Sequence, residues 1–237
     1  MAGEQADINQ TGSRPAGRTK SLTATVVDRL LSEIVEGVIP LGSLLSEKVL
    51  AESYGMSKTP VREALVQLQS MGLVHILPQR GGRVFSPDAE QVRELCEVRL
   101  ELESTGLRLS MSRGREPLAA LLRGIVAEMN ECFDLSHPAA YQRLDYAFHL
   151  ALFTYCGNTL LGEAYELFGA RISALRTHLS SPQAYLLKRS LEEHRMMVDL
   201  VEANDLRTAL QLLGEHISRT RECQSRALDG DGSAGAR

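Results

Sequence analysis

The chain has 237 residues, of which 43% are hydrophobic, 24% charged and 5% aromatic, and its net charge is −4. This balance excludes a mostly disordered chain and a uniformly basic nucleic-acid binder, and the abundance of Leu, Ala, Glu and Arg favours helices. No apolar run reaches the ~20 residues that span a bilayer, and the first twenty residues lack a secretory signal. We therefore expect a soluble cytoplasmic protein without a membrane partner.

The ends of the chain differ from its middle in composition. Residues 1–20 and 229–237 are rich in Gly, Ser and other small or polar residues, so we predict a flexible tail at each end. The charge is also uneven, because residues 1–87 carry a net charge of +1 and residues 88–237 one of −5. An acidic protein can still bind DNA when its basic groups share one face.

Three helical patterns and a hairpin follow the first tail. Apolar residues recur at helical spacing over about 22–34, and a short second helix is predicted over 46–54. This second helix ends at Gly55, a residue suited to a left-handed cap. A third helix begins near 57–59, and residues 73–85 have the pattern of a β-hairpin with glycines in its turn.

This order of elements is that of a winged helix-turn-helix, in which the N-terminus of the second helix of the motif enters the major groove. Hydroxyl and basic side chains cluster there and at the hairpin tip, where they can contact phosphates and base edges. Any one of them, taken alone, could equally be a solvated surface charge. The predicted DNA-binding residues are Lys48, Ser57, Lys58, Thr59, Arg62, Arg80 and Gly81.

From residue 88 onward the sequence predicts six consecutive helices with short loops, which make an antiparallel bundle. The predicted helices are 88–112, 116–135, 138–156, 159–180, 183–203 and 205–227. The fold class is therefore mainly α, with a winged helix-turn-helix domain over 21–87 and a helical domain over 88–228.

Four residues of the predicted bundle have side chains that bind metals. Asp145 and His149 are four residues apart, which places them on one face of a helix. His194 and His216 lie about 15 and 18 Å from the turn between the last two helices, so an antiparallel pair holds them at nearly the same height. One carboxylate and three imidazoles suit Zn²⁺, Ni²⁺ or a similar ion. A single mid-helix histidine is more often a core or surface residue.

Two further residues have alternative interpretations. Arg99 in isolation would be a solvated charge, although a buried guanidinium needs an anionic partner such as a carboxylate. Asn158 is either a helix N-cap or a polar contact in a cavity, and the cap is slightly preferred.

Residues 41–85, with the stretch SKTPVREAL followed by Gly-Leu-Val and a glycine-tipped wing, resemble the winged helix-turn-helix of GntR-family transcription regulators. The resemblance implies operator binding through Lys48, Lys58, Thr59, Arg62 and the wing tip at Arg80-Gly81. The chain departs from the common pattern by having Lys at 48 and 58, where Arg is frequent. Lys does not bind guanine bidentately as Arg does.

Residues 88–227 resemble the FCD ligand-binding domain of the FadR branch of this family, through EVRLELE, DYAFHLAL, GNTLL and EHRMMVDLVEANDLRTALQLLGEHI. In metal-binding members the ligands match Asp145, His149, His194 and His216. The resemblance also implies that Arg99 faces the cavity and binds an effector carboxylate. We assign Arg99 and Asn158 to the effector site, with Glu103, Arg143 and Arg171 as weaker candidates.

The leading hypothesis is a homodimeric transcription repressor without enzymatic activity. It binds an inverted-repeat operator in double-stranded DNA, holds one divalent ion per chain (Zn²⁺ or Ni²⁺) and responds to a small carboxylate effector. One alternative is a regulator for which the metal ion itself is the signal. Another is a metal-dependent hydrolase, against which stands the absence of HExxH, GxSxG and phosphate-binding glycine motifs.

Overall fold

A computed structural model of the protein describes residues 21–134, 138–180 and 184–232. The predicted tail over 1–20, and residues 233–237 of the predicted tail 229–237, lie outside the described residues. The N-terminal part consists of α1 (Leu22–Val35), β1 (Leu44–Leu45), α2 (Glu47–Tyr54), α3 (Lys58–Ser70), β2 (Val74–Leu77) and β3 (Gly81–Val84).

The turn between α2 and α3 forms as its residues predict. The Ser46 side chain caps α2 by accepting a hydrogen bond from the Val49 amide, and Gly55 ends the helix with a left-handed φ of 64°. The helix α3 then begins two residues after Met56, with Pro60 tolerated in its first turn.

The wing contains a strand that the sequence did not indicate. The two-residue strand β1 pairs antiparallel with β3, so the sheet has the order β1-β3-β2. This pairing explains the glycines of the wing, which the sequence analysis placed at the tip facing DNA. A Cβ on Gly81 would lie 2.1 Å from the Leu45 carbonyl oxygen, and one on Gly82 would lie 2.7 Å from Val74 Cγ1. Both glycines are required by packing inside the sheet.

The C-terminal part is an all-helical bundle, as predicted. Its elements are α4 (Ala89–Asp134), α5 (Pro138–Ala151), α6 (Thr159–Leu175), a π-helical segment (Arg176–Ser180), α7 (Ala184–Glu202) and α8 (Leu206–Gly232). The helix α4 is broken by non-helical φ and ψ angles at Gly114, where the sequence predicts a break between two helices.

Three ends of the bundle helices differ from the predictions. The helix α5 stops at Ala151, five residues early, because Leu152 and Phe153 donate to carbonyls three residues back in tight turns. The last turn of the helix predicted over 159–180 is π-helical. The helix α8 continues to Gly232, so the first four residues of the predicted tail 229–237 are helical.

Each part of the chain has its own core. Val26, Leu30 and Ile34 of α1 pack with α3 and the sheet in the N-terminal core, and the bundle core begins with Phe85, just after β3. Ala174 of α6 is fully buried in the N-terminal core, so the bundle contributes to the interior of the winged domain. No helix within the described ranges is both long and apolar enough to span a membrane.

Candidate metal centre and nucleic-acid interface

Three bundle helices bring the four predicted metal ligands together in the interior. Asp145 and His149 lie on one face of α5, His194 lies on α7 and His216 on α8, and all four side chains are buried. One nitrogen from each of the three histidines lies within 4.8 Å of the others. The structure therefore confirms that the antiparallel pair α7–α8 holds His194 and His216 at the same level.

Two glutamates fix the orientation of two of these rings. His149 donates a hydrogen bond from Nδ1 to Glu103 Oε2 over 2.8 Å, and His216 donates from Nδ1 to Glu193 Oε2 over the same distance. Each ring then carries its lone pair on Nε2, and at His149 this lone pair accepts a hydrogen bond from Arg99 Nη2. A carboxylate behind a ligating histidine sets its tautomer and raises its basicity, as is usual in metal sites.

The remaining spacing fits a borderline divalent cation. His194 Nε2 lies 3.4 Å from His149 Nε2 and 3.7 Å from Asp145 Oδ1. Zn–N bonds of about 2.0–2.1 Å in a tetrahedral site place ligand nitrogens about 3.3 Å apart, close to the observed distance. These donor types at these distances could hold Zn²⁺ or a similar ion.

Burial and neighbouring charges hold Asp145, His149 and His194 in their ligating forms. Burial lowers the pKa of His149 well below its usual value, assisted by Arg99, and lowers that of His194 to about 3. Burial opposes ionisation of Asp145, but Arg176 together with the three neighbouring histidines outweighs it and keeps the pKa of this carboxyl well below its ordinary value. Near neutral pH His149 and His194 are therefore neutral imidazoles and Asp145 is a carboxylate, as metal binding requires.

Arg99 lies beside this cluster, inside the bundle rather than in solvent. Its Nη2 donates to His149 Nε2 over 2.9 Å, and its Nε donates to Glu103 Oε1 over 2.7 Å. Glu103 also accepts a hydrogen bond from the Tyr165 hydroxyl. The anionic partner that a buried guanidinium requires is therefore supplied from within the chain, by Glu103, and the role of Arg99 toward an effector stays a prediction.

Other predicted effector residues lie elsewhere. Asn158 is exposed and caps α6 by accepting from the Leu161 amide, which confirms the cap interpretation, and its assignment to the effector site stays a prediction. Arg143 pairs with Glu36 of α1 at 3.0 Å, and Arg171 lies over the Phe168 ring. Neither of these weaker candidates reaches the cluster, because their helix faces point toward the N-terminal domain.

The sequence analysis missed Glu193 and Arg176. Glu193 directly precedes His194, and this adjacency to a candidate ligand was the only available signal. Besides His216, it contacts Arg219 on α8. Arg176 begins the π-helical segment, which no pattern in the sequence indicates.

A second candidate site is the groove between the helix-turn-helix and the wing. Lys48, Lys58, Arg62, Arg80 and Gly81 all line this groove, together with residues of β1 and β2. Ser57 and Thr59 are exposed at the start of α3. The structure thus brings five of the seven predicted DNA-binding residues to one groove, with Ser57 and Thr59 exposed at the start of the helix that lines it.

Arg62 is held in this groove by an intramolecular partner. Its Nε and Nη2 donate to the two carboxylate oxygens of Glu47 over 3.0 and 2.8 Å. This hydrogen bonding keeps the pKa of Glu47 below its ordinary value. About two thirds of the Arg62 side chain remains exposed. Its guanidinium can therefore reach DNA by giving up the ion pair with Glu47, and exposed pairs of this kind contribute little to stability.

Comparison with known families matches both parts of the chain. The family of "Bacterial regulatory proteins, gntR family" matches residues 22–84, and the FCD domain matches residues 94–219. The second match covers more than half of the chain and includes every predicted metal ligand.

Individual proteins are similar over nearly their whole length. The "Probable D-xylose utilization operon transcriptional repressor" of Paenarthrobacter nicotinovorans is 29% identical over 84% of this chain and 89% of its own. The transcriptional repressor GlaR of Escherichia coli K12 is 26% identical over 79% and 89%. The solved structure of E. coli McbR/YncC has a TM-score of 0.77, with 23% identity over 88% of this chain and 99% of its own, which supports the fold.

Proposed function

Because the chain belongs to the GntR family of bacterial regulatory proteins and carries an FCD domain, we propose that it is a homodimeric repressor controlled by a small organic acid bound beside a divalent metal. Its relatives are transcription regulators, and it is one as well. The observation that carries the finer proposal is the buried cluster of three histidines and one aspartate within a chain that also has a DNA-binding domain.

The DNA contact follows from the groove around α3. The N-terminus of α3 enters the major groove, where Ser57, Lys58 and Thr59 meet phosphates and Arg62 exchanges Glu47 for a base edge. The wing places Arg80 against the adjacent backbone. A two-fold symmetric dimer presents two such DNA-binding domains, so the operator is an inverted repeat.

The metal proposal rests on the fit of the donor set. One divalent ion per chain, Zn²⁺ or Ni²⁺, would be held by Asp145, His149, His194 and His216. The bound ion would supply a Lewis-acid centre for an anionic ligand. Glu103 and Glu193 keep two of the imidazoles oriented for this purpose.

The effector is a small carboxylate that binds the bundle beside the ion and near Arg99. The two domains are joined over only a few residues, since Phe85 already belongs to the bundle core and α4 begins at Ala89. A shift of α4 therefore changes the spacing of the two DNA-binding domains. A ligand with a 100-fold preference for one arrangement supplies about 2.7 kcal/mol per site, enough to release the operator.

The decisive experiment uses the full-length protein. An operator is first selected from a random double-stranded DNA library, and we expect an inverted repeat. Fluorescence anisotropy then follows operator affinity at constant Zn²⁺ while glycolate, lactate, malonate, malate and gluconate are added. Loss of affinity with one of these acids supports the proposal. Affinity that changes only with Zn²⁺ favours a metal sensor, and turnover of an acid favours a hydrolase.

The metal site is tested by elemental analysis. We expect about one divalent ion per chain in the parent and almost none in a His194→Ala/His216→Ala double variant, because two of the four donors are lost. His75→Ala is the matched control, since that histidine lies exposed on β2, far from the cluster. Full metal content in the double variant would show that the ligands are wrongly assigned.

A further inference from the structure

Arg176 is a buried cation whose hydrogen-bonding capacity is unused by the part of the chain that the structure describes. It begins the π-helical segment after α6, and its side chain is about 95% buried. Its Nη1 lies 2.5 Å from Asp145 Oδ2, but the two groups are not aligned for a hydrogen bond. None of its three nitrogens has a hydrogen-bond partner among the described residues. Buried donors left unpaired are costly, so this guanidinium is suited to an additional anionic partner.

A cavity lies where that partner would sit. It occupies about 40 Å³ between α5, α7, α8 and the π-helical segment, and Arg176, Asp145 and His216 line it together. The hydroxyl-bearing Ser190 and Thr220 line its other side. A water molecule needs about 10–15 Å³ by the same measure, so the cavity holds roughly three non-hydrogen atoms before any adjustment. This size and lining suit the carboxylate end of a short hydroxy acid or dicarboxylate.

Arg99 is less suited to this task than Arg176. Arg99 already donates to Glu103 and to His149, and its charge is balanced by Glu103 in a closed network. It does not line this cavity. Arg176 is ion-paired with Asp145, but none of its three nitrogens forms a hydrogen bond with a described residue, and a carboxylate can accept two parallel hydrogen bonds from such a fork.

We propose that Arg176, rather than Arg99, is the main residue that binds the effector carboxylate, and that the π-helical segment passes this binding event to the DNA-binding domain. The proposal rests on the proposed function, since it names the anion-binding residue of the same site. The effector class is a short carboxylic acid whose carboxylate reaches Arg176 from the cavity side of the metal cluster.

The second half of this proposal follows from what the neighbours of Arg176 contact. His178 donates from Nε2 to the Ile34 carbonyl at the end of α1 over 3.0 Å. A Cβ on Gly37, just after α1, would lie 3.2 Å from Thr177 Cγ2. One short segment therefore contacts the ligand cavity at its first residue and the end of α1 at its second and third. Since π-helical turns are rare and frequently lie at functional sites, we infer that this segment rearranges when Arg176 engages an anion.

The binding half is tested with metal-loaded full-length protein and calorimetric titration of lactate and malonate. Arg176→Gln should weaken binding of whichever acid the parent binds by at least 30-fold. Arg176→Lys retains the charge beside Asp145 and should lose about tenfold, because it cannot form the bidentate pair. The control is Arg143→Gln, whose guanidinium pairs with Glu36 outside the cavity and should leave binding unchanged.

Metal content and circular dichroism are measured for every variant. If both Arg176 variants retain their metal and bind the acid within threefold of the parent, Arg176 is not the anion-binding residue, while the proposed function stands. A parent whose melting temperature and operator affinity ignore the whole panel of acids contradicts the proposed function itself.

The relay is tested with His178→Leu, which removes the hydrogen bond to Ile34. This variant should bind the acid as tightly as the parent, yet release the operator at least fivefold less upon acid addition. Operator release equal to that of the parent would show that the signal travels another way.

Discussion

Replacing Arg99 by Met is expected to destabilise the helical bundle strongly, because it leaves the Glu103 carboxylate buried without its cation. The two side chains are 1% and 0% exposed and are joined at 2.7 Å. Removing one partner of a buried ion pair costs about 3–5 kcal/mol. A domain of this kind has a total free energy of unfolding of about 5–15 kcal/mol, so the loss is a large fraction of it.

A double variant separates the unpaired charge from the lost packing. Arg99→Met/Glu103→Gln removes both charges, and the glutamine can still accept from the Tyr165 hydroxyl as Glu103 does. We expect the double variant to recover at least half of the lost stability. Urea unfolding of metal-stripped protein, followed by circular dichroism, measures each free energy.

The matched control is Arg93→Met on the same helix. Arg93 forms exposed ion pairs with Glu90 and Glu97, and such surface pairs contribute about 0–1 kcal/mol. If Arg99→Met loses no more stability than Arg93→Met, the buried pair is not the structural element that its burial indicates. A double variant as unstable as the single one would show that packing, and not charge, dominates.

Three further outcomes are expected. Arg62→Ala should weaken specific operator binding by about 1–3 kcal/mol and relax preference at one position per half-site, as measured by anisotropy on mutated operators; equal affinity would contradict the docking. The folded pKa of His194, about 3, lies below the unfolded value of about 6.5, so only the unfolded state gains the proton between these values. The metal-stripped protein should therefore lose stability as pH falls from 6.5 toward 3, by at most about 1.4 kcal/mol per pH unit for this group, and His194→Phe should flatten that slope in urea unfolding. Gly81→Ala should lower the melting temperature and operator affinity, because its Cβ would lie 2.1 Å from the Leu45 carbonyl oxygen and its φ is +87°. The control is Gly124→Ala on α4, which should be neutral or stabilising because a Cβ there would lie in open space.

The residues that begin, end or break secondary-structure elements account for most of what could be predicted of the fold. Gly55 ends α2, Asn158 caps α6 and Gly114 breaks α4, because each acts through its own backbone or a neighbour within three residues. The strand β1 was missed for the opposite reason. It has two residues, and it exists only because Leu44 and Leu45 pair with β3, almost forty residues away.

The residues around the metal cluster also divide into those whose position follows from local spacing and those whose position depends on packing between distant parts of the chain. His194 and His216 could be aligned from their distances to one turn, since helical rise is constant. The pair Arg99–Glu103 has the i,i+4 spacing of helix ion pairs and was open to the same reasoning. Arg176 was not, because it begins a π-helical turn that depends on packing against α5 and α8 and on the hydrogen bond from His178 to the Ile34 carbonyl.

The burial of Ala174 within the core of the winged domain limits which fragments of this regulator can be separated from the rest of the chain. Ala170 packs against the same core from the same helix, so α6 forms part of the wall around Val26, Leu30 and Ile34. An excised fragment 21–87 would expose apolar surface that the intact chain covers. We therefore expect it to be less soluble and less stable than a winged helix-turn-helix domain whose core is formed entirely by its own residues. A chimera that joins this domain to the bundle of another regulator must carry over the α6 face as well, so exchange of sensing modules within the family is constrained at this helix as much as at the linker.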